Sequence, residues 1–301
     1  TNPCHTRASR VIPKDINTIP SNMVQNTIQN VAQDSSTNTT TNAVLTPRIL
    51  SDTSVNPNAE NLATKTSATQ NVENGIALYS VSRDTLVLQA GESQTVTVGG
   101  RTYTISNTME KAGTLEYSYD SDKDLVTFKG VLDSQNPNNS ESLNITAATN
   151  QAHRVRLEGA FGIVNLGNKD DYIESDMSLG NVNAGDGDKT LIITGANVTN
   201  NSNNLCYYIG SGNNTVIAEE SSRFAKIYTG IGKNNVLIKG HYISTFMRGD
   251  DYYETTQEAN NNSLSAYGRK VTAISNGQNE TLYLQNSTVT VNGTANYIGF
   301  T

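Results

Sequence analysis

From residue 76 onward the chain takes a hydrophobic period of two. LYSVSRDTLVLQ (78–89), ESQTVTVGGRTYTIS (92–106) and GTLEYSYDSDKDLVTFKG (113–130) alternate apolar and polar side chains, as strands with one buried face do. Gly99-Gly100 separates two such runs, and glycine takes the positive φ of a two-residue hairpin turn without steric cost. Residues 76–150 therefore read as a small antiparallel sheet, or as irregular first coils, capping a stack whose open end would present unpaired strand edges.

Beyond residue 151 a longer period takes over. NAGDGDKTLIITG (183–195), YIGSGNNTVIAE (208–219) and YTGIGKNNVLIKG (228–240) each write glycine, a polar turn and a short β-branched run. The aligned glycines are Gly167, Gly185, Gly210, Gly230 and Gly249, with steps of 18, 25, 20 and 19 residues. Coils of that length suit a parallel β-helix, whose short strands pair with those above and below at about 4.8 Å. Ile173, Leu191, Ile193, Val216, Val236 and Ile238 are predicted to fill its interior, and the glycines to allow the tight turn. EANNNSLSAYG (258–268) reads as a loop, and VTAISN, ETLYLQN and STVTVNG as the last strands. The fold class is all-β: a right-handed parallel β-helix, or β-solenoid, over 151–301 with an antiparallel cap.

Residues 1–75 lack both periods. They hold most of the prolines and runs such as DSSTNTTTN (34–42), and they bury too little apolar area to offset their ordering entropy, which predicts a disordered stalk or linker. One short helix is expected inside it, at SNMVQNTIQNVAQ (21–33), capped by Ser21 or Asn22 and carrying Met23, Val24, Ile28 and Val31 on one side.

Composition narrows the function. Hydrophobic residues make up 35% and charged residues only 16% of the 301, and the polarity comes from small uncharged side chains that suit turns and β stacks. A net charge of −7, with no cluster of Lys and Arg, argues against nucleic acid. No apolar run approaches the roughly 20 residues of a membrane helix, so no transmembrane segment is expected. The first residue is Thr1 rather than Met, which points to a processed chain or an excised piece whose secretion signal lies elsewhere. Cys4 and Cys206 are the two cysteines; they form a disulfide, or Cys206 is a small buried residue and Cys4 an exposed thiol.

IGSGNNTVI and TGIGKNNVL resemble degenerate forms of the nonapeptide G-G-x-G-x-D-x-U-x of the repeats-in-toxin proteins, over about 90 residues of this chain. The resemblance implies a bacterial protein that is extracellular or on the cell surface, with calcium in its turns. Positions matching the calcium-binding aspartate hold Asp171, Lys189, Asn214 and Asn234. Lys189 puts a cation where an ion would sit and the asparagines offer neutral oxygens, so calcium binding is expected to be weak or partial. Asparagines stacked coil over coil can instead form hydrogen-bond ladders that need no metal. Asp186 and Asp188, with Asp170, Asp171, Asp250 and Asp251 in neighbouring turns, are expected to line one edge of the stack, either to bind an ion or a cationic partner or for solubility alone. The candidate metal ligands are thus Asp171, Asp186, Asp188, Asn214 and Asn234. The family places two nonapeptides in each coil and this chain keeps one, a feature that an adhesin β-helix of the filamentous-haemagglutinin kind fits equally well.

Other candidate chemistry is thinner. Asp120, Asp122 and Asp124 alternate like the start of a calcium loop, but Leu125 stands where its glycine should be, so a solvated hairpin turn is expected. Arg248-Gly249-Asp250 spells the integrin-binding tripeptide, with Gly249 already explained by the coil period. A pectate-lyase-like enzyme would need acids beside a basic residue such as Arg154, Arg156, Arg223, Lys226, Lys239 or Arg248, and no spacing joins them; His5, His153 and His241 are dispersed, and a nucleophilic Thr1 would need another fold. The sequence leans against an enzyme. The expected function is binding or adhesion, with a host or neighbouring-cell surface glycan or protein as partner; the alternatives are a polysaccharide-degrading lyase or hydrolase and a phage-type receptor-binding spike. A binding module should show exposed aromatics among Tyr207, Tyr208, Tyr228, Tyr242, Tyr252 and Tyr253 in a ladder without a carboxylate pair.

Overall fold

The structure, a computed structural model, describes residues 83–130, 143–197, 205–268, 270–294 and 297–300, and the backbone of two short antiparallel strands, β1 (Val72–Glu73) and β2 (Ile76–Ala77). All belong to one compact unit, Glu60–Thr301, and every regular element among them is a strand. The helix expected at 21–33 lies outside the described residues, as do Thr1, Cys4 and His5.

Six strands build the cap: β3 (Asp84–Leu88), β4 (Ser93–Val98), β5 (Arg101–Asn107), β6 (Gly113–Asp120), β7 (Leu125–Gly130) and β8 (Leu143–Ala147). They pair antiparallel as β4–β5–β8 and β3–β6–β7. Gly99 and Gly100, at φ 56° and 71°, make the two-residue turn that sets Val98 opposite Arg101. Alternation sends Leu88, Tyr103, Ile105, Leu115 and Phe128 inward, all buried. The cap then changes pairing sense. β7 and β8 both run parallel to β9 (Arg154–Asn165), β7 along its first half through Val126–Val155 and β8 along its end through Ile145–Val164. A row of unpaired backbone groups is thereby presented in the register that the first coil needs.

β10 (Tyr172–Gly185) lies in parallel on β9, with register shifts between Met177 and Asn181 where the strand turns a corner. Every later coil breaks there into two strands. In chain order these are β11 (Thr190–Ile193), β12 (Leu205–Ile209), β13 (Thr215–Ala218), β14 (Lys226–Thr229), β15 (Asn235–Ile238), β16 (Ser244–Met247), β17 (Tyr252–Thr255), β18 (Ser263–Ala266), β19 (Val271–Ser275), β20 (Thr281–Leu284), β21 (Ser287–Val291) and β22 (Tyr297–Phe300). Odd strands stack on β10's first half and even strands on its second, all parallel, giving a β-solenoid of about eight turns. Single-residue bridges join the corners along Ala196, Arg223, His241, Asn260, Gln278 and Thr294.

Most of these strands are four residues long, with inward and outward positions alternating. Ile173, Leu191, Val216 and Val236 meet rung by rung in the interior, with Ile193 and Ile238 one pleat away, all buried as their pattern predicts. The segment expected as a loop at 258–268 instead contains β18. Its Ser-Leu-Ser-Ala sequence has weak β preference, and pairing with β16 and β20 on both sides imposes the strand. A last strand, β22, also follows the three predicted ones.

The stack is tight at the turns. Gly212 and Gly232 hold φ of 153° and 150°, and a Cβ on either would strike the carbonyl oxygen of the glycine one coil below, Gly187 or Gly212. Gly232→Ala is expected to lower stability by about 1–3 kcal/mol in urea denaturation. Gly100→Ala, at φ 71° with nothing within 4 Å, should cost less, since it carries strain without collision.

Candidate functional site

Each coil reverses from its second sheet to its first through the glycine turn, and that turn aims backbone carbonyls at the interior. Polar side chains must satisfy them. Asn214 Nδ2 donates to its own turn's Gly210 and Gly212 carbonyls at 3.1 and 3.4 Å, and to Asn234 Oδ1 at 2.7 Å. Asn234 Nδ2 donates to the Gly230 carbonyl at 3.0 Å and to Asp251 Oδ1 at 2.7 Å. Asn214 Oδ1 in turn accepts the Lys189 amide at 2.9 Å. All are buried.

Asp171 occupies the same place as Asn214 two turns earlier, with Lys189 between them, and a carboxylate has no proton to give its turn. Lys189 supplies the donors from the coil above. Its Nζ lies 2.7 Å from Asp171 Oδ2 and 3.2 Å from the Gly167 carbonyl, and it also donates to the Lys169 carbonyl. Neither side chain of this pair is exposed. Asp171 Oδ1 accepts the His153 amide at 2.8 Å, which ties the ladder to the cap. Burial pushes the Asp251 carboxyl up, against donors from Asn234 and Gly249. This geometry is a poor fit to calcium: an ammonium neutralises the Asp171 carboxylate, and the Asn214 and Asn234 amides point N–H groups at the carbonyls a cation would need.

Asp186 and Asp188 stand apart from that ladder, on the outside of the turn. Each accepts a backbone N–H from the next coil, of Ser211 and Asn213, at 2.7 Å. The five candidate ligands therefore split into an interior ladder and an exterior edge. No group of three or more His, Cys, Asp and Glu placed to hold a metal occurs among the described residues.

The remaining candidates are also placed. Asp120 and Asp124 belong to the β6–β7 hairpin turn: Asp120 Oδ1 accepts the Asp122 and Lys123 amides, and Asp124 takes a two-pronged contact from Arg101 at 2.7 and 2.6 Å that holds its carboxyl at about 2. Arg154 lies over the Tyr172 ring at 4.3 Å, Arg156 reaches Glu158 and Glu174, and Lys239 pairs with Glu219. His153 is buried in the cap beside Tyr103, and His241, its pKa lowered by burial, sits in the corner bridges. Cys206 is a buried thiol whose pKa burial raises. Arg248-Gly249-Asp250 is tied into the stack, with the Asp250 amide on the Gly232 carbonyl at 2.8 Å.

The tyrosines separate by face. Tyr207 and Tyr253 point inward and are fully buried, Tyr242 stacks on Phe224 at the bridged corner, and Tyr252 bonds Glu254 on the outer face of the first sheet. Tyr208 and Tyr228 occupy consecutive outward rungs of the second sheet, and Phe246, which the sequence reading passed over, continues them. Their rings stack at 4.8 and 4.6 Å with interplanar angles of 10° and 7°. A groove of about 530 Å³ follows this ladder, lined also by Asn183, Gly210, Gly230, Arg248 and Tyr267, and no Asp or Glu contributes to its lining. The turn glycines make it open, because they leave no side chains beside Tyr208 and Tyr228.

A second polar cluster is internal. Thr255 and Ser275 hydroxyls donate to Glu280 Oε2 at 2.8 and 2.7 Å, and Asn262 Nδ2 approaches Oε1 at 3.4 Å. Desolvation raises the Glu280 pKa. Compared with known proteins, the chain matches no family model, no curated protein and no solved structure.

Lys189→Met should destabilise the fold by about 3–5 kcal/mol, because it strands a buried carboxylate. Adding Asp171→Asn should recover most of that loss in urea titrations, since an amide can serve its own turn as Asn214 does. Wild-type thermal melts in calcium and in chelator are expected to superimpose. Glu280→Gln tests the second cluster. In acid both states of Glu280 are protonated; as pH rises past about 4.3 the unfolded chain ionises first, so stability falls until the raised folded pKa is passed. The variant should therefore be more stable than wild type near neutrality, with the gain vanishing below about pH 4.

Proposed function

We propose that the protein is a secreted or surface-displayed bacterial binding protein, an adhesion module that holds a surface glycan along the outer face of its second sheet. The stacked Tyr208–Tyr228–Phe246 ladder in an open groove carries this reading. Aromatic carbon held rigidly at a surface offers large contact area at low entropic cost. The backbone beneath the groove cannot take up a peptide strand, since its N–H and C=O groups are spent on the coils above and below. A partner must be gripped by side chains, which suits a sugar chain presenting C–H faces and hydroxyls.

Support for binding over cleavage comes from the acids. Glycan cleavage calls on a carboxyl or a base poised at the bond. The groove lining has no carboxylate, and the outward acids Glu158 and Glu174 are engaged by Arg156. The bacterial, extracellular setting rests on the repeat resemblance. Tyr228→Ala removes the middle rung and is expected to weaken retention on a glycan array at least tenfold, about 1.4 kcal/mol. Unchanged retention, or an array on which wild type binds nothing, would overturn the reading.

A further inference from the structure

The outward column of the second sheet is not uniform. Its register runs Asn165, Asn183, Tyr208, Tyr228, Phe246, Ser265, Tyr283. Asn183 Nδ2 donates to Asn165 Oδ1 at 2.8 Å, so the ladder begins as amides and continues as rings. Tyr228, the middle rung, has a ring stacked on each face, Tyr208 on one side and Phe246 on the other. At Ser265 the ladder misses a ring, and among the described residues no aromatic ring stacks on Phe246 from that rung.

The wall of the groove changes one coil earlier, at Phe246. Beside Tyr208 and Tyr228 it is glycine, Gly210 and Gly230, while beside Phe246 and Ser265 it becomes Arg248 and Tyr267, both exposed. Arg248 forms no hydrogen bond or ion pair among the described residues, whereas Arg83, Arg101 and Arg156 all hold carboxylates. Asp250, two residues on, borders a neighbouring cleft that Arg248 also lines, and lies outside the groove itself. A guanidinium lining a groove without acids, in a chain of net charge −7, is a local charge that a bound anion would complement.

We infer that this end of the groove is a subsite for a carboxylated sugar, a uronate unit within a glycan chain. Its ring occupies the Ser265 rung against Phe246, and its carboxylate takes the two-pronged contact of Arg248. The inference rests on the glycan-binding reading and adds the class of sugar to it. Tyr267 bounds the subsite on the side of the next coil.

The test titrates the full chain with oligogalacturonate, oligomannuronate and hyaluronan fragments by calorimetry, each beside its methyl-esterified form. At least one acid form is expected to bind, with esterification and Arg248→Gln each weakening it at least tenfold and the two losses failing to add. Ser265→Tyr, which fills the missing rung, should abolish that binding while leaving the melting temperature no lower. Equal affinity for acid and ester, or full affinity in Arg248→Gln, would overturn the uronate subsite and leave the glycan reading standing if Tyr228→Ala still weakens binding. If no acid form binds while neutral glycans do, the subsite alone falls; if no glycan of either kind binds, both readings fall.

Discussion

Parallel pairing in register between successive coils is the constraint from which the other features follow. A coil of this protein has no core of its own; four-residue strands bury two side chains each, and those find partners only in the coil above and the coil below. Once the backbone ladders are in register, equivalent side chains sit one strand spacing apart and like stacks on like. The same spacing that places Val216 on Val236 places Asn214 on Asn234 and Tyr228 on Phe246. Interior packing, turn chemistry and surface pattern are thus three readings of one repeat. Departures from the repeat then carry information.

Lys189 is the clearest departure. Read one residue at a time it breaks the motif, because it brings a cation to a place where aspartate or asparagine is expected. Read against Asp171 below it, the substitution is a compensation: the acid cannot donate to Gly167 and Lys169, so the next coil sends down an ammonium that can. A buried ion pair of this kind adds little net stability over an apolar replacement, yet losing one partner is costly. The pair therefore ties these two coils together at a point where the loss of either partner is penalised more than its presence is rewarded.

How much of this could be read from the residues depends on the range of the interaction. The glycine steps and the β-branched runs are local and repeated, so the solenoid and interior positions such as Ile173 and Val236 were legible. The Gly99-Gly100 turn was legible for the same reason. β18 was not, since Ser263–Ala266 becomes a strand only through neighbours 19 residues before it and 18 after it. The candidate site was half legible. Tyr208 and Tyr228 were named, but Tyr207 and Tyr253 point inward, and a shift of one residue along a strand decides which face a tyrosine takes. Phe246 was missed because its register with Tyr228 depends on an 18-residue coil whose turn breaks the glycine pattern at Arg248. The metal candidates failed to separate by sequence for a related reason: Asp186 and Asp188 precede the ladder position of their coil, Lys189, by only three residues and one, and turn positions that close look alike until the inward and outward sides of the turn are known.

The outer face, rather than the interior or the turn edge, is where such a fold has freedom to acquire a ligand. Interior positions answer to coils on both sides, and the turn oxygens of Asp186, Asp188, Asn214 and Asn234 already accept hydrogen bonds from a neighbouring coil. Outward side chains answer only to their neighbours in the column, so a run of aromatic rungs can begin at Tyr208 and lapse at Ser265 without disturbing the core beneath. An aromatic column that stacked on itself without interruption would leave only ring edges to a partner. Interruption leaves Phe246 without a ring on that side, and the coil of Phe246 itself replaces the glycine of the wall with Arg248. Two changes in adjacent coils thus turn a repetitive surface into a particular one.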